Sequence, residues 1–208
     1  MYLHSKSPKH YQGYIVKGKY PVILIPGLTE RWAFLKSLGD KISMAGHPVY
    51  VIPKLKHNLL SIPKSAKIVE EIIDENKLRN VILVTHSKGG LIGKYLLMHL
   101  IDKGKIKGMI AIATPFAGSS LAKLISHHSF KELAEGSEII DNLKSHQEVN
   151  SKIISLYPEF DNQIMKENSS FLAGAENIKI DVKGHHKIIF DKDTQMKILG
   201  LVSRLSQK

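Results

Sequence analysis

Ser87 is the residue of this chain best placed to do chemistry. It stands in the stretch V-I-L-V-T-H-S-K-G-G, Val81 to Gly90, where a run of buried-strand type passes straight into an apolar helical pattern from Leu91. A serine at a sharp strand-to-helix turn is pushed clear of the sheet, and backbone N–H groups at the start of the helix point past it. Acyl-transfer chemistry uses that arrangement. An alcohol attacking an ester carbonyl also needs a base for its proton, a partner that orients the base, and donors for the oxyanion. Downstream of Ser87 the chain offers several acids, Asp141, Asp161 and Asp181 among them, and the late pair His185–His186.

The elements that must position these groups follow from hydrophobic patterning. Residues 1 to about 19 are polar and mixed, an N-terminal extension in which Gly13 to Tyr20 could add a short edge strand. P-V-I-L-I-P-G-L from Pro21 is a continuous apolar, β-branched run of the kind that is buried on both faces of a parallel sheet. Thr29 is expected to cap a helix carrying Trp32, Leu35, Leu38 and Ile42, which Gly46 stops. A short strand from Pro48 to Ile52, a loop from Lys54 to Leu60 and a helix started by Ser61 and Pro63 come next. The strand Asn80 to Thr85 then leads into Ser87 and a helix from Lys88 to about Ile101, whose apolar surface is wide enough to lie deep against the sheet.

Further strands are predicted at Lys107 to Ala113, Lys152 to Tyr157 and Asn177 to Val182, with a closing helix from Asp193 to Leu205. The segment from Ser119 to about Asn150 has helical patterning, a more polar character and no strand, which suits a small lid or cap. Strands alternating with helices at this spacing predict an α/β fold: one doubly wound, mainly parallel sheet of about six strands, with helices on both faces and right-handed crossovers. At 208 residues the chain is read as a single domain spanning 1–208.

The stretch around Ser87 resembles the nucleophile elbow of the α/β-hydrolase superfamily, with Ser87 as nucleophile and Thr85 where the first glycine of G-x-S-x-G is usual. Thr85 is a mild departure, since that position needs only a small side chain where strand and helix pass closely. Gly89 and Gly90 supply the close packing on the far side, and His86, usual beside such a nucleophile, reads as structural. The resemblance implies an oxyanion hole made by the N–H of Lys88 and, from the I-P-G-L-T-E loop, the N–H of Leu28. The side chain of Lys88 is expected to point to solvent, with recruitment of an anionic substrate as the second reading.

D-N-Q-I-M-K-E-N-S-S resembles the family's acid-bearing step after a strand, which points to Asp161. Ile164 and Met165 stand where Val and Pro are usual, and Ser169 and Ser170 restore the pattern. Asp141, inside a helical pattern, and Asp181, inside a strand, are the rivals. V-K-G-H-H-K-I-I-F resembles the G-H-x-x-L-L step that carries the base; aligning Ile188 and Ile189 with the two leucines selects His185, with His186 as the alternative. A-T-P-F-A-G-S-S-L-A and L-A-E-G-S-E-I-I-D-N-L resemble segments of bacterial class-2 lipases and the GPI-inositol-deacylase-like group. Together the matches run from about Pro21 to Leu201, and in this order and spacing they are specific. The implied activity is hydrolysis of carboxylic esters, of lipid or acyl type, by a serine esterase or lipase. Acyl transfer or thioester cleavage on the same triad, or a non-catalytic lipid-binding module on the same fold, are the other readings.

Composition narrows the remaining classes. The absence of cysteine excludes disulfides, thiolate catalysis and Cys-ligated zinc. The pairs His127–His128 and His185–His186 lack metal-ligand spacing, so no metal site and no cofactor are expected. M-Y-L-H-S-K-S-P-K-H-Y-Q has charges with no apolar run behind them, and no stretch approaches the ~18 apolar residues of a spanning helix. Cytoplasmic residence is the default expectation, with signal-independent export the alternative. The formal charge of +11 is scattered in pieces such as K-L-K-H and K-G-K-I-K, with no nucleic-acid motif. That pattern suits a lysine-rich solvated surface, with attraction to an anionic membrane surface as the second reading.

Overall fold

The computed structural model describes residues 16–119, 122, 128–164 and 169–207. Six strands form one sheet: β1 (Val22–Ile25), β2 (Val49–Val51), β3 (Val81–His86), β4 (Ile106–Ile112), β5 (Ile153–Phe160) and β6 (Glu176–Lys183). Their order is β2-β1-β3-β4-β5-β6 and every neighbouring pair is parallel. The helices are α1 (Lys36–Met44), α2 (Ile62–Glu75), α3 (Lys88–Leu100), α4 (His128–Lys131), α5 (Glu138–Ser145), α6 (Lys187–Phe190) and α7 (Lys192–Gln207). The doubly wound parallel sheet read from the sequence is the architecture that forms.

The period-two alternation of a strand explains how one sheet serves two cores. Ile23, Ile25, Leu83, Met109 and Ala111 pack with α2 and α3 through Val69, Ile73, Leu91 and Leu97. Val22, Leu24, Ile82, Val84 and Ile110 pack on the opposite face with α1 and α7 through Leu38, Ile42, Ile198 and Val202. Because both faces are covered, the strands at the centre must be apolar at every position, and β1 and β3 are buried throughout.

The chain runs from β1 outward to β2 and then returns across β1 to β3. The strand order therefore reverses between β1 and β3, and connections leave their carboxyl ends in opposite directions. A crevice opens at such a switch point. Leu28 follows β1 and Ser87 follows β3, so both lie at its mouth.

Several local expectations need correction. Thr29 does not cap a helix; it sits at φ 64 in a left-handed turn, and the next element is a 3-10 turn, Trp32–Leu35, that leads into α1. Residues 16–20 form a turn with Gly18 at φ 88 in place of the edge strand, and the Val16 N–H donates to Gly46 O. Residues 13–15 of that expected strand lie outside the described residues. Ser61 precedes α2, but its side chain makes no cap; Glu132 Oε2 accepts from Ile62 N at 3.1 Å. β5 extends through Pro158 to Phe160. β4 pairs with β5 only as far as Leu156, so the missing proline N–H costs no bond on that side.

Within the described part of Ser119–Asn150, Leu133, Ile140 and Leu143 are buried in the same cluster as Leu91. This segment contributes to the core and does not merely cover it. Among the described residues, no helix is long and apolar enough to cross a membrane.

Candidate active site

Ser87 lies between the last residue of β3 and the first of α3 with φ 51 and ψ −122. A non-glycine residue in that region stores roughly 1–3 kcal/mol of strain, held only because its surroundings are rigid. The rigidity is visible in the glycines that follow. A Cβ on Gly89 would stand 2.3 Å from Ile25 O, and one on Gly90 would stand 1.9 Å from Thr114 Oγ1. The start of α3 is thus pressed against β1 and against the turn after β4. Thr85 is fully buried, and room for it comes from Gly93, where a Cβ would lie 3.3 Å from Thr85 Cγ2 and 2.3 Å from Met109 Sδ. Gly93 went unremarked in the sequence, although a glycine inside an otherwise apolar helix is a usable signal of close approach.

Asp161 follows β5 directly, and His185 follows β6 after Gly184, whose φ is 123. Asp161 Oδ2 is 2.8 Å from His185 Nδ1, and the next residue, Asn162, accepts from the His185 N–H through Oδ1 at 3.0 Å. Burial pushes the Asp161 carboxyl up, but the His185 hydrogen bond and charge, with the N–H groups of Gln163 and Ile164, outweigh it and hold the group below its ordinary range. The rivals stand elsewhere. Asp141 on α5 faces Lys144 at 3.8 Å, and Asp181 is exposed on β6. His185 is 2% exposed, whereas the His186 side chain is 49% exposed and lies 3.5 Å from Glu30 Oε1. With Nδ1–H directed at the carboxylate, Nε2 of His185 keeps the lone pair that can take a proton.

Two side chains depart from expectation. Lys88 does not point to solvent and does not line the cavity beside Ser87. It is fully buried, and Nζ donates to Leu60 O at 2.6 Å and Asn58 O at 3.0 Å. Burial pushes its ammonium down to about 8 against the opposing charge of Glu132. A side chain emerging at the first turn of α3 has no route to water, because α3 is buried and the 56–60 loop closes over it. Glu30, unmarked in the sequence, is 7% exposed and accepts from Gly27 N at 2.6 Å. Its Oε1 lies 2.8 Å from Nδ1 of the buried His86. A carboxylate three residues after a glycine carries no local signature that sets it apart from a surface acid.

Ser87, His185, His186 and Glu30 line a cavity of about 280 Å³, with Thr29, Ser119 and Gln163 as further polar groups. Leu28, Pro115, Ala122, Phe130, Leu133 and Ile164 line it too, so reactive polar groups and apolar side chains share one space. The arrangement suits a carbonyl held at Ser87 with a hydrocarbon group in the apolar part. Among the described residues, no cluster of three or more His, Cys, Asp or Glu side chains is set to hold a metal ion.

Comparison with known proteins adds three observations. The family model described as lecithin:cholesterol acyltransferase matches residues 62–206, a stretch that includes Ser87, Asp161 and His185. Comparison with curated proteins finds no match. Among solved structures, the chain is similar to a monoacylglycerol lipase from Paleococcus ferrophilus, at 19% identity and a TM-score of 0.65, over 90% of this chain and 96% of that one. It is similar to a structure described with the metagenome-derived lipolytic enzymes LipS and LipT, at 11% identity and a TM-score of 0.72, over 94% and 96% of the two chains. It is also similar to the mature form of the Bacillus licheniformis lipase BlEst2, at 17% identity and a TM-score of 0.69, over 90% and 94%. At these identities the likeness is one of fold.

Proposed function

The chain belongs to the lecithin:cholesterol acyltransferase family and has the α/β-hydrolase fold, and from that premise we propose that it is a serine hydrolase of carboxylic esters with a lipid or acyl group. The observation that carries the reading is the 2.8 Å contact of His185 Nδ1 with Asp161, in a cavity that Ser87 lines from a strained turn.

In this reading Ser87 Oγ attacks the ester carbonyl while His185 Nε2 takes its proton. Asp161 holds the imidazole in the right tautomer and stabilises its cation. The N–H groups of Leu28 and Lys88 receive the developing oxyanion. His185 returns the proton to the leaving alkoxide, which departs as alcohol. Water then attacks the acyl-enzyme, giving its proton to His185, and the carboxylic acid leaves as Ser87 recovers its hydrogen. The apolar walls of the cavity take the acyl chain. No cofactor enters these steps.

Intact-mass spectrometry after treatment with a fluorophosphonate probe tests the reading. A single adduct on the wild type and none on Ser87→Ala is the expected result; a folded wild type that takes no adduct would sink it.

A second reading is acyl transfer, favoured by the family's own description. The same acyl-enzyme is resolved by an alcohol in place of water. Product analysis with a competing alcohol separates the two, since ester product growing in proportion to the alcohol marks a transferase. The net charge of +11 supports an anionic lipid surface as the place of action. Equal turnover of esters in neutral and anionic vesicles at low salt would remove that part.

A further inference from the structure

His185 is held at three points, and only two of them belong to the residues assigned above. Asp161 takes the ring through Nδ1 and Asn162 takes the backbone N–H. The third contact is on the backbone carbonyl: His86 Nε2 lies 3.2 Å from His185 O. The other nitrogen of His86 lies 2.8 Å from Glu30 Oε1 and 3.1 Å from Oε2. Glu30 in turn accepts the Gly27 N–H at 2.6 Å. A continuous chain of contacts therefore links the loop after β1, the end of β3 and the loop after β6.

Both nitrogens of His86 face acceptors, a carboxylate on one side and a carbonyl on the other. A neutral imidazole has one N–H, so it could bond one partner and would turn a lone pair toward the other. Both contacts are satisfied when one hydrogen lies between Nδ1 and the Glu30 carboxyl and another between Nε2 and the His185 carbonyl. Phe34 stacks beside His86 with ring centroids 5.4 Å apart, excluding water from that side.

Resting on the hydrolase reading, we propose that Glu30 and His86 are positioning residues that lock the loop bearing the base to the loop bearing the oxyanion donor. Holding Gly27 N–H on Glu30 orients the peptide just before Leu28, and holding His185 O on His86 sets the height of the imidazole over Ser87. Replacing the Glu30 carboxyl by an amide weakens its joint hold on the Gly27 N–H and on His86 and releases one of the two loops. The base and the oxyanion donor then lose their common register, which lowers turnover while leaving the apolar binding walls in place.

The test joins a spectroscopic readout to a kinetic one. In ¹H–¹⁵N imidazole spectra, the ring hydrogens of wild-type His86 are expected to exchange slowly with solvent, and those of Glu30→Gln faster. On a soluble p-nitrophenyl ester, kcat of Glu30→Gln is expected to fall roughly tenfold to a hundredfold, as misplacement of a reacting group does. KM is expected to change less than kcat, because the apolar walls of the cavity stay in place. Wild-type His86 ring hydrogens that exchange as fast as those of an exposed histidine overturn the proposal, and this arm stands even if Glu30→Gln does not fold. A folded Glu30→Gln with wild-type kcat overturns it too. A wild type that takes no fluorophosphonate fails the hydrolase reading, and the role falls with it; a labelled wild type with unchanged kcat in Glu30→Gln removes this role alone.

Discussion

The ammonium of Lys88, the residue directly after Ser87, lies 2.6 Å from the carbonyl oxygen of Leu60 in the loop before α2. The same Nζ reaches Asn58 O, and Asn58 Nδ2 in turn donates to Pro26 O at 2.8 Å. Ser129 Oγ of α4 donates to Leu59 O in the same loop. The turn that carries Ser87, the end of β1 and the segment over the cavity are thereby tied to one short stretch of backbone.

Stability should respond to pH through this lysine. The unfolded chain keeps the Lys88 proton up to the ordinary value of 10.5, whereas the folded chain releases it near 8. Between those values the unfolded state binds more protons, so stability rises with pH across that window. A neutral amine still offers two N–H groups to the two carbonyls. Urea midpoints of the wild type should therefore climb from about pH 8 toward pH 10.5 more steeply than those of Lys88→Met; parallel curves would show that Lys88 titrates normally.

Asp161→Asn is expected to lower kcat about 10⁴-fold with little change in expression, because an amide reverses the tautomer of His185. The carboxylate also contributes to folding. Its folded value lies below the ordinary 3.8, so that contribution is complete above 3.8 and is lost as pH falls through the folded value. The melting-temperature gap between wild type and Asp161→Asn should accordingly narrow in acid. A gap that widens below pH 3.8 would contradict the contact's sign.

Asn162→Ala removes the acceptor of the His185 N–H while leaving the Asp161 contact intact. The loss is one hydrogen bond on a loop that ends in a glycine at φ 123. An effect on kcat of roughly fivefold is expected, well short of Asp161→Asn, since one hydrogen bond to a neutral group is worth about 1 kcal/mol. Steady-state kinetics of the two variants side by side decide the ranking.

Gly89→Ala and Gly90→Ala separate main-chain from side-chain crowding. At Gly89 the added methyl meets the Ile25 carbonyl, and backbone of a central strand cannot yield. At Gly90 it meets the Thr114 side chain. Both should destabilise by at least the ~1–3 kcal/mol of overpacking. Thr114→Ala should recover part of the loss at position 90 and none at position 89, as measured by denaturant midpoints.

The alternation of β-branched runs with helical patterns made the parallel sheet readable, and Ser87 could be placed at its turn because the signal is local: a buried run, a serine and two glycines within ten residues, Val81 to Gly90. Thr29 was misread for the converse reason. Its type suits a helix cap, but the loop after β1 bends over the switch point and takes it to φ 64, a demand set by β3 lying next door. Lys88 was misread because polarity predicts exposure only where water can reach, and its position under the 56–60 loop is a property of the packed chain.

What the sequence by itself determined is therefore the order of elements and the fold class, and it also named the candidate residues Ser87, Asp161 and His185, all from patterns a few residues long. Only the tertiary structure shows how the surroundings of His185 and His186 differ: one is buried against Asp161, 24 residues away, and the other lies half-open beside Glu30. It alone brought Glu30 to His86 across 56 residues. A hydrogen bond over such a separation has no trace in local spacing; it exists because strands β1 and β3, distant in the chain, are neighbours in the sheet.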